Sequence, residues 1–294
     1  MTIPSDCQAL RDKHKAKFLL EIYQSEAGRL KGGSFDEFTR AGNGVCAAMA
    51  AEWIRLNLLD ERSGEQMDIF RTLVGSNWQL HLHFVAKQHE RSEQIERIKT
   101  LSAEADLLIA KARSVSDIHK DPSALRKVFY AKSIPSVSAV NTHIREANAA
   151  TQRFEKAKQD YLDGISGFLS KAERLQEGKP ISNLVVNLKT LLSKKGYYFL
   201  EITPQGESEG HAMAFQTVGL PRLLDANTCE WEFMTFASLC SFWTEYFLKF
   251  YQTEYAGGTF ALTFFPDTFF EKMQFSDPWY WKTPLPSIDD LEDL

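Results

Sequence analysis

Apolar positions recur at helical spacing in the first part of the chain and at every second position in much of its last third. The change of period falls near Pro180. Leu10, Phe18, Leu19 and Ile22 predict an amphipathic helix over roughly 7–30, closed by the Gly-rich stretch that starts at Leu30. Asn43-Gly44 is a turn signal. After it, Cys46, Met49, Ala50, Trp53 and Ile54 predict a helix with one apolar face that opens close to Gly44. From about 62 the pattern stays helical and rich in mixed charge, broken at Asp121-Pro122 and around Pro135. The stretch 62–178 reads as a helical insertion or subdomain, a solvated body packed on the core, with partner binding as the sharper alternative. Beyond Pro180, Tyr197–Ile202, His211–Phe215, Leu220–Leu224, Glu230–Met234 and Thr259–Phe265 read as strands, and 237–251 as a helix. Helices first and an antiparallel sheet later make an α+β arrangement in a single domain, 1–294, with a frayed acidic tail over 285–294.

Composition narrows the classes. With 294 residues, 44% apolar and 25% charged, the chain is long enough for a sizeable core and is neither disordered nor collagen-like. A net charge of −5 argues against electrostatic nucleic-acid binding by the whole chain. Four cysteines, Cys7, Cys46, Cys229 and Cys240, without CxxC spacing, read as reduced thiols in a cytosolic setting rather than a disulfide scaffold. Residues 1–17 contain no apolar h-region, so no Sec signal peptide is expected, and Thr2 excludes N-myristoylation. The longest apolar stretch, Phe233–Phe250, is interrupted by Thr, Ser, Glu and Lys, so no membrane span is expected.

Three residues stand out for chemistry. Cys46 opens a helix just after glycines 42 and 44, and the N–H groups and partial positive charge of a helix N-terminus favour a thiolate. The alternative is a small hydrophobe beside Met49 and Trp53. His211 opens a strand in which His211, Met213 and Phe215 share one face, where an imidazole serves either as a general base or as an ordinary edge histidine. Asp225 ends the next strand, fourteen positions on, where a hairpin brings its carboxylate to the imidazole. Asn227 is the nearest substitute orienter, and a turn or capping role is the plainer reading of Asp225. The order Cys, His, Asp is more specific than any member, because a thiolate–imidazolium pair oriented by a carboxylate performs acyl transfer. Other signals carry less. His81 and His83 form an HxH pair on an expected strand without a third ligand, so no metal or other cofactor is expected. Neither a P-loop nor a G-x-G-x-x-G is present. Trp279, Tyr280 and Trp281 read as a covering flap, or else as a peptide-binding rim.

The segments Gly44–Ile54, Gly210–Phe215 and Leu223–Asn227 resemble, in order and spacing, the Cys, His and Asp motifs of the YopT/AvrPphB-type cysteine proteases. The motifs span about twenty residues and the agreement of order runs over roughly 40–265. Ala226 stands where the family commonly has Pro, and Thr228-Cys229-Glu230-Trp231 replaces its Gly-x-Phe continuation. The resemblance implies a papain-like core, a Cys helix packed on an antiparallel sheet that carries His and Asp, here with a large helical insertion. It implies a thiol protease, with Cys46 as nucleophile, His211 as base and acid, and Asp225 as orienter. An oxyanion hole would combine the Cys46 N–H with a polar donor, for which Asn43 is the expected residue. The family consists of secreted bacterial effectors or toxin domains, which implies delivery by a non-Sec route into a target cell's cytosol, a protein substrate there, and a cognate immunity protein or secretion chaperone as partner. Two rival readings stand beside it. One is a peptidoglycan amidase of NlpC type, and the other a non-catalytic helical interaction protein in which Cys46 is inert and buried.

Overall fold

The structure is a computed structural model that describes residues 5–21, 45–60, 67, 70–71, 79–120, 136–206 and 210–267. In chain order its elements are α1 (Ser5–His14), β1 (Lys17–Glu21), α2 (Cys46–Asp60), α3 (Gln79–Lys120), α4 (Val137–Ile165), β2 (Glu173–Pro180), α5 (Ile181–Leu191), β3 (Gly196–Thr203), β4 (His211–Gln216), β5 (Arg222–Asp225), β6 (Cys229–Glu232), α6 (Phe236–Phe250), α7 (Gln252–Tyr255) and β7 (Thr259–Pro266). Seven strands form one antiparallel sheet in the order β1-β6-β5-β4-β3-β7-β2, so the fold combines helices with an antiparallel sheet. Among the described residues no helix is long and apolar enough to cross a membrane.

Strand alternation gives the two faces of this sheet different neighbours. Tyr198, Leu200 and Ile202 of β3, Met213 and Phe215 of β4, and Trp231 of β6 join one aromatic-rich core with α1, α5 and α6. On α6, Leu239, Phe242, Trp243, Tyr246 and Phe247 are buried at i, i+3, i+4, i+7 and i+8, the stripe a helix needs to lie on a sheet. Thr235 caps that helix by accepting from the Ser238 N–H at 3.1 Å. The opposite face carries Tyr197, Ala212, Ala214 and Glu230, and α2 packs there. The alternation of large and small residues in β4 follows: Ala212 and Ala214 let α2 approach closely, and Ala47, Ala48, Ala50 and Ala51 match them from the helix side. Helix α2 is buried almost all round.

A buried polar network fastens α2 to the sheet. Glu230, completely buried on β6, accepts from Trp53 Nε1 at 3.1 Å and from the Arg71 guanidinium at 2.8 and 2.9 Å. Gly210, just before β4, lies where a Cβ would stand 2.0 Å from the Ile202 carbonyl oxygen, so only glycine lets the chain enter the strand there.

The chain divides into two compact units, 1–90 with 162–294, and 91–161. The second is a helical pair. Arg91 donates to the Tyr161 hydroxyl at 3.2 Å and Arg153 to Glu104 at 2.7 Å, which sets the two helical segments antiparallel. Ala105, Ala112, Val140, Ala147 and Ala150 are buried within this unit, and such small side chains permit close helix packing.

Three expectations change. The helix expected over 7–30 stops at His14, Lys15 turns left-handed at φ 51°, and Lys17–Glu21 becomes an edge strand. Pairing with β6 and the 4.5 Å contact of Phe18 with Trp231 outweigh local helical spacing. The sheet also begins before Pro180, because 173–180 pairs with β7. That strand is polar and lies at the sheet edge, where charge is tolerated and discourages edge-to-edge pairing, so its sequence carries no strand signal. His81 and His83 fall within α3, not on a strand. The 285–294 tail and the Trp279–Trp281 cluster lie outside the described residues.

Replacing Glu230 by Leu strips Trp53 and Arg71 of their shared acceptor. We expect a loss of about 3 kcal/mol, the lower end for a broken buried pair because Arg71 is partly exposed. Urea unfolding at unchanged m-value measures it; a loss below about 1 kcal/mol would mean that this network does not seat α2.

Candidate active site

Helix α2 begins at Cys46, and the Met49 N–H to Val45 carbonyl bond of 2.9 Å closes its first turn. The thiol therefore sits where backbone N–H groups are free and the helix dipole is positive. The neighbouring Ala48 N–H donates to Gln88 Oε1 at 3.0 Å, so a side chain from α3 caps this helix start. Strand β5 stops at Asp225, opposite Met213, so His211 and Ala212 extend past the end of their neighbour. At that open end the Cys46 thiol lies near the Ala212 N–H and the His211 imidazole, both of which favour its ionised form.

His211 Nε2 lies 2.8 Å from Asp225 Oδ1. An ionised carboxylate can only accept, so Nε2 carries the proton and Nδ1 is the nitrogen left for Cys46. The residues Cys46, His211 and Asp225 are thus brought together from α2, β4 and β5, and all three are buried, Cys46 being 5% exposed.

Asp225 has further partners. Tyr246 and Tyr251 donate to Oδ2 at 2.5 and 2.6 Å, and the Asn227 N–H donates to Oδ1 at 2.8 Å. The Asn227 side chain donates to the Tyr251 hydroxyl at 3.2 Å, and Thr228 Oγ1 lies 2.6 Å from that of Tyr246. Tyr251 also stacks on the imidazole, with centroids 5.4 Å apart and planes 13° from parallel. Asn227 therefore touches Asp225 and Tyr251, rather than serving as a substitute orienter. Asn43 lies outside the described residues.

Electrostatics follow from this geometry. Burial opposes ionisation of Cys46, but the charge and hydrogen bond of His211 and the Ala212 N–H outweigh it, and the thiol lies below its ordinary range. Burial likewise opposes protonation of His211. Asp225 and Cys46 together overcome it and raise the imidazole to about 10. Burial would raise Asp225; His211, Tyr246 and Tyr251 hold it below the usual carboxylate range. Cys7 goes the other way, pushed up to about 12 by burial and then by the Asp225 charge. Burial raises Cys240 as well, against the opposing charge of Lys189. Among the described residues no group of three or more His, Cys, Asp or Glu is arranged to hold a metal ion.

Sequence reading missed Tyr246 and Tyr251. Tyr246 stands in an apolar helical stripe where an aromatic needs no special reason. The available signal was indirect: a carboxylate carried inward by Leu223-Leu224 must find donors, and tyrosine supplies one from an otherwise apolar helix.

Iodoacetamide should alkylate Cys46 with a pH midpoint below the ordinary thiol value of about 8.5, and His211→Ala should return that midpoint to or above it. Peptide mapping separates the four thiols, and the midpoint rather than the absolute rate is compared because Cys46 is 5% exposed. An ordinary midpoint in both proteins would exclude the ion pair.

No protein-family model and no curated protein sequence matches the chain. Solved structures similar to it include the Pseudomonas avirulence protein AvrPphB, 12% identical over 77% of this chain and 92% of that one, with a TM-score of 0.38. They also include the cysteine protease-like domain of the Photorhabdus asymbiotica toxin PaTox, 10% identical over 82% and 87% of the two chains, with a TM-score of 0.22.

Proposed function

We propose that the protein is a thiol protease with a papain-like core, in which Cys46 is the nucleophile, His211 the general base and acid, and Asp225 the residue that orients it. The observation that carries this reading is the His211–Asp225 bond of 2.8 Å beside a thiol whose ionisation is favoured despite burial. A buried ordinary cysteine shifts the opposite way, as Cys7 does. A thiolate formed at a helix start attacks a peptide carbonyl. The oxyanion is held by backbone N–H groups, with the Cys46 N–H and the Asn43 side chain as the proposed donors. Imidazolium then protonates the leaving amine, and water, deprotonated by the neutral imidazole, hydrolyses the acyl-enzyme.

The substrate in this reading is a protein of a target cell, and the chain is a bacterial effector or toxin delivered by a non-Sec route. A secretion chaperone, or an immunity protein where the target is bacterial, would accompany it. Motif order and the reduced thiols support that setting. Residues 91–161, the separate helical unit, would be the insertion in the catalytic domain, while 173–178 belong to the sheet.

Incubating the protein with eukaryotic and bacterial cell extracts and mapping new protein N-termini tests the reading. Wild type should create a defined set and Cys46→Ala none. Cleavage that persists in Cys46→Ala would sink the assignment, and release of muropeptides from purified murein without new protein N-termini would replace it with an amidase. For the cleaved substrate, kcat/KM should be bell-shaped in pH. The acid limb reports protonation of Cys46 below the ordinary thiol range, and the alkaline limb reports loss of the His211 proton near 10.

A further inference from the structure

We infer that Tyr251, together with Tyr246, is a positioning residue for the Cys46–His211 pair, acting through Asp225. This rests on the proposed triad and adds residues to it. The direction of every hydrogen bond in the network supports it. Each tyrosine has one hydroxyl proton, and both protons go to Asp225 Oδ2, at 2.5 and 2.6 Å. Their oxygens are then acceptors, so the Asn227 side-chain N–H and the Thr228 hydroxyl point at them. With the Asn227 N–H and His211 Nε2 on Oδ1, the carboxylate has four donors and no free lone-pair direction. It can neither rotate nor readily take a proton. The Tyr251 ring, lying parallel to His211, restricts the imidazole that this carboxylate faces.

The two tyrosines remain phenols, because burial and the Asp225 charge raise both well above their ordinary range. The charged and titratable groups around them are Asp225 from β5, His211 from β4, Cys46 from α2, Cys229 from β6, Cys7 from α1 and Tyr255 from α7. Lys249 of α6 adds positive charge near Cys7 but is paired with Asp6 at 2.8 Å, so the phenols and the Asn227 N–H help His211 to offset the negative charge of the site. The sequence DANT over 225–228 thus holds the carboxylate and aligns the two tyrosines that grip it.

The test uses Cys46 alkylation, which needs no substrate. Tyr251→Phe keeps the ring on His211 and removes one donor. At pH 6 it should alkylate about tenfold more slowly than wild type, the scale of one lost hydrogen bond to a charged group. Tyr246→Phe should do the same, and Tyr198→Phe, which removes a buried hydroxyl bonded to the Lys194 carbonyl, should do nothing. The decisive measurement repeats Tyr251→Phe in an Asp225→Asn background. If the tyrosine acts through Asp225, its effect disappears there. An equal effect in both backgrounds, or a wild-type rate in Tyr251→Phe, overturns the inference. Thermal unfolding of each variant is run alongside, and if Tyr251→Phe melts below the assay temperature, Tyr246→Phe carries the same cycle. Should wild-type Cys46 lack any His211-dependent reactivity at low pH, the triad itself fails, which is distinguishable from failure of the tyrosine role alone.

Discussion

A fully buried carboxylate is costly unless every lone pair is answered, and much of this fold can be read as the answer to Asp225. Its four donors come from three places. The turn after β5 supplies the Asn227 N–H, the start of β4 supplies His211, and the last turns of α6 with the residue that follows it supply Tyr246 and Tyr251. A strand pairing, a tight hairpin and a helix packed on the sheet must all be in register before the charge is satisfied. The carboxylate therefore couples local geometry to tertiary assembly, and that same coupling holds the imidazole in one orientation.

The sheet separates this polar network from the thiol. His211 and Asp225 belong to the aromatic-rich face with α6, whereas α2 packs on the face lined by Ala212 and Ala214. The sulfur comes near the imidazole where β5 ends two residues short and leaves the start of β4 open. The Ala212 N–H at that open end favours the ionised sulfur. Small residues thus do two things at once: they let the helix come near, and they expose a backbone donor at the point of contact. With Cys46 and His211 ionised beside the Asp225 carboxylate, one negative charge would be in excess in the interior, which the helix start and the donors on Asp225 would help to offset.

Much of the sheet was legible from the chain. The alternation of β4, the apolar run that carries Asp225 inward and the stripe of α6 are local patterns, because burial on one face leaves its period in the sequence. The helix starting at Cys46 was equally visible. The edge strands were not. Phe18 and Leu20 sit in a stretch whose spacing also suits a helix, and β2 is polar but for Leu175 and Pro180, so their partners β6 and β7 make them strands.

The sequence by itself determined that a thiol opens a helix, an imidazole opens a strand and a carboxylate ends the next strand, in that order, since each of these is a local fact. Tertiary structure decided how their charges balance. Tyr246 and Tyr251 follow Asp225 by twenty-one and twenty-six positions, and their hydroxyls face a carboxylate only after α6 has packed on the sheet. No period in a sequence records a hydrogen bond across that distance, because it depends on the relative placement of two elements rather than on the conformation of either.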